Sequence, residues 1–434
     1  MKKQVKASPG DYISIMTTKE STEGTLLESH EPDIFLIKLK SGYNIGIKKE
    51  DIYDVRVIRK AKPEEKTEKE NSIELKSKKE LPGIAMIMTG GTISSRLDPS
   101  TGGVKWLTSP ADLFKFYPEL FDIANIKRLE IPFMMASENM SSKEWKKIAK
   151  LAAELLNDAE IKGIIITHGT DTLHYTASAF SFFLKNLNKP VVLTYSQRST
   201  DRASSDASLN LQCAARAAIS DIAEVMIVGH ASTNDDFCYA MPATKVRKMH
   251  TSRRDAFKVI NSMPIAKIFP GKIEILSQHK NRNNNKVKLD AAYEDKVALV
   301  KFYPGMSPDI IDCYAKNCRG LVIEATGLGH LATKEARYNL IPKLKQAIKK
   351  GLIVCAAPQT LYGRLNPLVY SPGRELQKLG IIFLEDMLPE TALVKLGWVL
   401  AHKEWAKNKE KIKEKMLENI SHELNPRLGK EFIK

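Results

Sequence analysis

The residues best placed to do chemistry in this chain are hydroxyl side chains that follow glycines at the end of apolar runs. The stretch Leu81-Pro-Gly-Ile-Ala-Met-Ile-Met-Thr-Gly-Gly-Thr-Ile-Ser-Ser95 puts Thr92 behind Gly90 and Gly91. A second stretch, Ile164-Ile-Ile-Thr-His-Gly-Thr-Asp-Thr172, puts Thr170 and Asp171 behind His168 and Gly169. An alcohol is a weak nucleophile near neutral pH, and it needs a base that is itself oriented by a third group. Thr92 can supply the nucleophile, Thr170 a second hydroxyl that relays a proton, and Asp171 an anion that holds a cation. The candidate base is Lys248, in Ala243-Thr-Lys-Val-Arg-Lys-Met-His-Thr-Ser252, crowded by Arg247, Arg253 and Arg254. Like charges and burial make a setting in which an amine can accept a proton. His168 reads as a packing and hydrogen-bonding residue, since the lysine fills the base's role.

These groups need elements to hold them. Ile84 to Met88 and Ile164 to Ile166 read as buried parallel strands. Gly90 and Gly91 let the backbone turn sharply and approach a ligand. In open α/β sheets ligands gather outside the carboxyl ends of strands. Residues 96–106 are rich in turn formers and lie beside this site, which makes them a lid candidate. Ile131-Pro-Phe-Met-Met135 leads into Ser137-Glu-Asn-Met140. The capping box Ser141-Ser-Lys-Glu144 then opens a helix with the stripe Trp145, Ile148, Leu151, Ala152, Leu155. A helical segment from Tyr175 to Leu187, a strand at Val191–Thr194, a helix from Asp206 to Ala218 and a strand at Val225–Val228 continue the alternation. That order predicts a parallel sheet with helices on both faces.

Before and after this core the texture changes. Five short strands (Tyr12–Met16, Gly24–Leu27, Ile34–Leu39, Tyr43–Ile47, Val55–Ile58) predict a small all-β barrel over residues 1–59. Residues 60–82 form a charge-dense linker. Residues 83–290 make the larger α/β domain. Residues 291–400 make a smaller one, with strands at Val297–Phe302, Gly320–Glu324, Leu352–Cys355 and Ile381–Phe383. Residues 401–434 read as a solvated helical tail.

The totals bound the rest. With 434 residues, 43% hydrophobic and 27% charged, the composition is that of a soluble protein of several domains. No apolar run is long enough to span a membrane, and the N-terminus lacks a signal peptide's apolar core, so a cytoplasmic location is expected. Five scattered cysteines make no disulfide framework. Cys313 and Cys318 have no companion ligands, so buried thiols are expected there and no metal. The net charge is +16, and residues 241–290 carry 12 Lys/Arg against 3 Asp/Glu. Such a block suits either a polyanion such as RNA or a merely solvated surface.

Together, Thr89-Gly-Gly-Thr92-Ile, Thr167-His-Gly-Thr170-Asp171-Thr172 and a lysine ahead of Thr251-Ser252 resemble the signatures of the bacterial-type asparaginase/glutaminase family. Glu324-Ala-Thr-Gly-Leu-Gly-His330, Tyr370-Ser-Pro-Gly-Arg-Glu-Leu376 and Glu385-Asp-Met-Leu-Pro-Glu390 agree with it. The resemblance covers roughly residues 83–400. It implies two α/β domains, the larger one N-terminal, with the site at its strand ends. It implies that Thr92 attacks a side-chain amide carbonyl, assisted by Thr170, Asp171 and Lys248, and that an acyl-enzyme forms. It also implies substrate contacts from Gly91, Ser137, Glu138 and Gly169, with Ser137 at the α-carboxylate and Asp171 facing the α-amino group.

The parts outside that core narrow the resemblance. The N-terminal strands with Lys40-Ser-Gly-Tyr-Asn-Ile-Gly-Ile47, the linker, Ser137-Glu-Asn-Met140 and the basic balance are similar to the family of D subunits of archaeal glutamyl-tRNA(Gln) amidotransferases. That likeness implies glutamine as substrate, the amidotransferase E subunit as partner, and tRNA(Gln) met through the complex. It further implies a homodimer of this chain within a heterotetramer. No cofactor is expected in this chain; ATP and Mg2+ are expected on the partner. Simple asparaginases commonly carry a tyrosine in the lid after the first threonine, and residues 93–106 contain none, which fits a site completed in a complex. The alternatives are a free-standing cytosolic L-asparaginase with an added domain, and a nucleic-acid-binding protein with a degenerate core.

Overall fold

The computed structural model describes residues 7–18, 20–27, 29, 33–39, 44–60, 81–97, 104–106, 117–199, 204–427 and 429. The Lys40-Ser-Gly42 turn, most of the linker and residues 98–103 of the expected lid lie outside the described residues.

The N-terminal unit is one antiparallel sheet of β1 (Tyr12–Thr17), β2 (Ser21–Leu27), β3 (Ile34–Lys38), β4 (Asn44–Lys48) and β5 (Ile52–Arg59). Its order is β4-β3-β2-β1-β5. Alternation along β1 turns Ile13 and Ile15 inward, where they meet Leu26 and Ile37. Among the described residues these four side chains form the buried centre of the cluster, so the unit rests on a small core.

The larger α/β lobe begins with β6 (Gly83–Met88), followed by the hairpin β7 (Ser95–Leu97) and β8 (Val104–Trp106), then β9 (Asn125–Glu130). The ends of the expected lid are therefore paired, Ser95 with Trp106 and Leu97 with Val104. The lobe continues through β10 (Ile164–Thr167), β11 (Leu184–Lys185), β12 (Val191–Thr194), β13 (Val225–His230), β14 (Cys238–Pro242), β15 (Val246–Lys248), β16 (Phe257–Val259), β17 (Ala266–Ile268), β18 (Ile273–Ile275) and β19 (Lys288–Leu289). Its main sheet has the order β18-β17-β14-β13-β12-β10-β6-β9.

From β9 to β13 the neighbours are parallel; from β13 to β18 they are antiparallel. The sheet is thus mixed where the alternation predicts a parallel one. Hairpin returns after His230 and after Ile268 replace the crossover helices that parallel pairing needs.

Both faces of the parallel part are covered. Ile84, Met86 and Met88 pack with the helix Ala207–Ala218, while Ala85 and Ile87 pack with the helices Ser142–Leu156 and Leu173–Phe183. Burial on both faces is why these strands read as unbroken apolar runs. Ser141 caps its helix as expected: its hydroxyl accepts from Lys143 N–H at 3.3 Å and its N–H donates to Glu144 at 2.8 Å.

The smaller lobe is a parallel sheet of β20 (Val297–Lys301), β21 (Gly320–Ala325), β22 (Ile353–Pro358) and β23 (Ile382–Phe383). Its last long helix, Pro389–Ala401, lies against the helix Leu173–Phe183 of the larger lobe, with Trp398 stacked on Phe182 at 5.8 Å between ring centres. The lobes therefore share one apolar core.

Two expectations are corrected. The tail is packed rather than solvated: its short helices, Lys403–Ala406 and Lys409–Leu417, bury Ile412 and Met416, and the fully buried Glu423 accepts from the fully buried Lys395 at 2.5 Å. Cys313 and Cys318 are not buried thiols. Cys313 is exposed and Cys318 half-buried, because the helix Asp309–Asn317 turns only Ile311 inward.

Candidate active site

Two neighbouring strands, β6 and β10, deliver the two hydroxyl stretches side by side. Their pairing is in register through Thr167 opposite Met88, so both chains leave the sheet at the same edge. Thr89 and Thr167 fasten the two exits: the Thr89 hydroxyl donates to Thr167 O at 2.7 Å, and Ser94 Oγ lies 2.9 Å from Thr167 Oγ1.

Beyond that point the backbones nearly touch. Gly91 has φ +81°, and a Cβ there would lie 2.5 Å from Gly169 N and 2.6 Å from its Cα. A Cβ on Gly169 would lie 2.8 Å from Ser137 Oγ. Only glycines allow this contact of three segments. Thr92 follows at once, half-buried, and opens a 3-10 turn, Thr92–Ser94, whose carbonyl at Thr92 accepts from Ser95 Oγ at 2.8 Å.

Ser137 is buried on the other side of Gly169. Its hydroxyl accepts from Thr172 N–H at 3.3 Å, and its carbonyl accepts from the Thr172 hydroxyl at 2.7 Å. Glu138 follows in the same 3-10 turn, Ser137–Asn139, and is exposed.

Lys248 reaches this cluster from β15. Its Nζ donates to Thr170 Oγ1 at 2.8 Å and to Asp171 Oδ1 at 2.7 Å. The Lys248 side chain is 13% exposed and that of Asp171 62%, so the amine is sheltered while the carboxylate opens to solvent. The crowding by arginines is relieved by pairing. Arg247 meets Glu390 at 2.9 Å, Arg253 meets Asp255 at 2.7 Å and Arg254 meets Asp235 at 2.6 Å. The Arg253 and Lys258 partners hold the Asp255 carboxyl well below its usual range.

His168 is fully buried. Gly169 O, which can only accept, lies 2.7 Å from its Nδ1, so Nδ1 carries the proton and Nε2 accepts from the Thr176 hydroxyl at 2.9 Å. Burial pushes its pKa down to about 4. It is a neutral strut under Gly169, the packing role read from the sequence.

The structure thus joins Thr170, Asp171 and Lys248 by hydrogen bonds, and Gly91, Gly169 and Ser137 by contact, with Thr92 next to Gly91. Glu138 shares their surface without a bond to any of them. Two groups escape a reading of the sequence. Glu390 is buried and binds Arg247, the neighbour of Lys248; its stretch is visible in the sequence, but nothing there pairs it with Arg247. Thr176 supports His168 and looks like any helix residue. The basic block is largely spoken for as well: Lys245, Arg247, Lys248, Arg253, Arg254, Lys258 and Lys272 all have carboxylate partners within the chain. Among the described residues, no group of three or more His, Cys, Asp or Glu could hold a metal ion, and no helix is long and apolar enough to cross a membrane.

Two α/β lobes with hydroxyls, an aspartate and a lysine at the strand ends of the larger one define the asparaginase class of fold. Residues 83–281 match the family described as "Asparaginase, N-terminal", residues 296–416 the "Glutaminase/Asparaginase C-terminal domain", and residues 7–58 the "GatD N-terminal domain". The thermostable L-asparaginase from Thermococcus kodakarensis superposes with a TM-score of 0.68 at 28% identity, covering 80% of this chain and all of that one. Full-length likeness is closer still. The D subunit of the glutamyl-tRNA(Gln) amidotransferase from Pyrococcus furiosus is 49% identical, covering 98% of this chain and 96% of the relative. That of Methanothermobacter thermautotrophicus is 41% identical, covering 96% and 94%. The chain belongs to the family of glutamyl-tRNA(Gln) amidotransferase D subunits.

Proposed function

We propose that the chain is the glutamine-hydrolysing, ammonia-supplying component of a tRNA-dependent amidotransferase that converts Glu-tRNA(Gln) to Gln-tRNA(Gln). The observation that carries this reading is the Lys248 amine, bonded to both Thr170 and Asp171 and set beside the Gly91–Gly169 contact. Thr92 Oγ attacks the side-chain amide carbon of glutamine, and its proton passes by way of Thr170 to Lys248. The tetrahedral adduct collapses as the C–N bond breaks, and the nitrogen leaves as ammonia with the proton returned to it. Water, activated along the same path, then cleaves the Thr92 ester and frees glutamate. Ser137, Glu138 and the backbones of Gly91 and Gly169 hold the substrate, Asp171 taking its α-amino group.

The full-length likeness to D subunits, N-terminal unit included, favours an assembly over a free enzyme. In that assembly, the E subunit binds the misacylated tRNA(Gln), uses ATP and Mg2+ to activate the γ-carboxylate and consumes the ammonia. This chain forms the homodimer at the centre of a heterotetramer in the cytoplasm and carries no cofactor itself. Ammonia released without an acceptor is wasted, so partner and tRNA are expected to gate the site.

Thr92→Val tests the chemistry: ammonia release from glutamine is abolished while circular dichroism is unchanged, and surviving activity refutes the assignment. Gentle purification from the native host tests the assembly, since a larger ATP-using, tRNA-dependent partner should accompany the chain. Fast asparagine turnover by the chain alone would instead support a free-standing asparaginase.

A further inference from the structure

β15, the strand that carries Lys248, is three residues long and, among the described residues, pairs only with the equally short β16, Val246 opposite Val259 and Lys248 opposite Phe257. A ribbon of that size is marginal by itself, yet the amine at its end must sit within hydrogen-bond reach of Thr170. The support comes from the smaller lobe and the tail. The Thr244 hydroxyl donates to Ser421 O at 2.7 Å, and the Thr391 hydroxyl donates to Thr244 O at 3.0 Å. Lys245 Nζ donates to the Asp386 carboxylate at 2.6 Å and to Asp386 O at 3.1 Å. Arg247 Nε donates to the buried Glu390 at 2.9 Å. Lys248 alone turns the other way, toward β10. The period of two along a strand makes this unavoidable: with Arg247 fixed toward the smaller lobe, Lys248 faces the opposite side, and a slip of one residue would exchange them.

We infer that Glu390 is a positioning residue for Lys248, so that the smaller lobe, through the Glu390–Arg247 pair backed by Asp386–Lys245, sets where the base lies. The inference rests on the reading of Lys248 as proton acceptor. Glu390 sits at the start of the helix Pro389–Ala401 and also lies 4.0 Å from His174 Nε2. Its reach to Thr170 and Asp171 is indirect and runs through Arg247. Misplacing a catalytic group by about 1 Å costs on the order of 100-fold in rate, so a loosened β15 should be felt in turnover.

The test uses the full chain, in the complex in which it hydrolyses glutamine, with Thr92→Val as reference. Glu390→Gln keeps the volume and removes the charge that holds Arg247. The expected result is a folded protein whose kcat for ammonia release falls about tenfold or more while KM for glutamine changes less than about twofold. Arg247→Gln should give the same split, and the double variant should be no slower than the slower single, as for two groups acting through each other. If kcat per folded molecule of Glu390→Gln stays within about twofold of the parent while Thr92→Val is inactive, the positioning role is overturned and the catalytic reading stands. If Thr92→Val keeps activity, the catalytic reading falls and this inference falls with it. Should Glu390→Gln fail to fold, Arg247→Lys carries the test: it keeps the charge, loses the guanidinium's geometry, and is read by the same split.

Discussion

Two lysine–aspartate pairs sit on one short segment and use the same groups to opposite ends. Lys245 meets Asp386 at 2.6 Å, and both side chains are fully buried. The Asp386 carboxylate also accepts from Asn425 N at 3.0 Å and Asn425 Nδ2 at 2.6 Å, and its full burial leaves no face of it open to a ligand. Lys248 meets Asp171 at 2.7 Å, but that carboxylate is open to solvent and the amine shares a hydroxyl. A pair sealed from water roughly offsets its desolvation cost and serves as architecture. The Lys248–Asp171 pair lies at the rim, where the carboxylate is reachable from solvent. Length of contact does not separate the two; access and the company of Thr170 do.

The sharpest way to break this contrast is Lys248→Met. Ammonia release is expected to fall by about 10²–10⁴-fold, with the unfolding midpoint little changed; an unfolded or fully active protein would erase the distinction. The converse change, Lys245→Met, leaves the Asp386 charge buried without its partner and should cost about 3–5 kcal/mol in denaturant unfolding. Adding Asp386→Asn should recover part of that loss, because the amide removes the unpaired charge and keeps an oxygen for Asn425.

Burial without pairing is probed by pH. His168 is held at about 4 against 6.5 for an ordinary histidine. As pH falls below about 6.5 the unfolded chain takes up the proton first and the folded chain only near 4. Its contribution is therefore intact above 6.5 and lost between about 6.5 and 4, at most about 3 kcal/mol. His174, pushed down to about 3 chiefly by burial, steepens the same decline. His168→Gln should flatten the pH dependence of the unfolding free energy in that window. The smallest effect sets the scale: Ser141→Ala removes a cap remote from both pairs and should cost about 1 kcal/mol with normal turnover.

The parallel half of the large sheet is legible because burial on both faces writes unbroken apolar runs, as in Ile84–Met88 and Ile164–Ile166, and the Ser141–Glu144 cap is a local signal. The antiparallel half is not: its outer strands β17 and β18 are three residues each, as are β15 and β16 in the separate ribbon that carries Lys248, too short for a period to show. At the site, the glycines beside Thr92 and Thr170 announce a turn, but the contact of Gly91 with Gly169 belongs to strand pairing. Lys245 illustrates the hardest case. It stands in the same basic stretch as Lys248, and only a long-range partner, Asp386, tells the sealed lysine from the accessible one.

The packed tail has a practical consequence for handling the protein. Lys395 Nζ, fully buried in the helix Pro389–Ala401, also donates to Met416 O at 3.1 Å, and Glu423 accepts from Ser421 N–H at 2.6 Å. A chain stopped at Ala401 would keep every strand of both lobes and still leave an ammonium bare inside them. A truncation should therefore keep the tail through Asn425, which also holds the Asp386 carboxylate, and an affinity handle or fusion partner belongs beyond that residue.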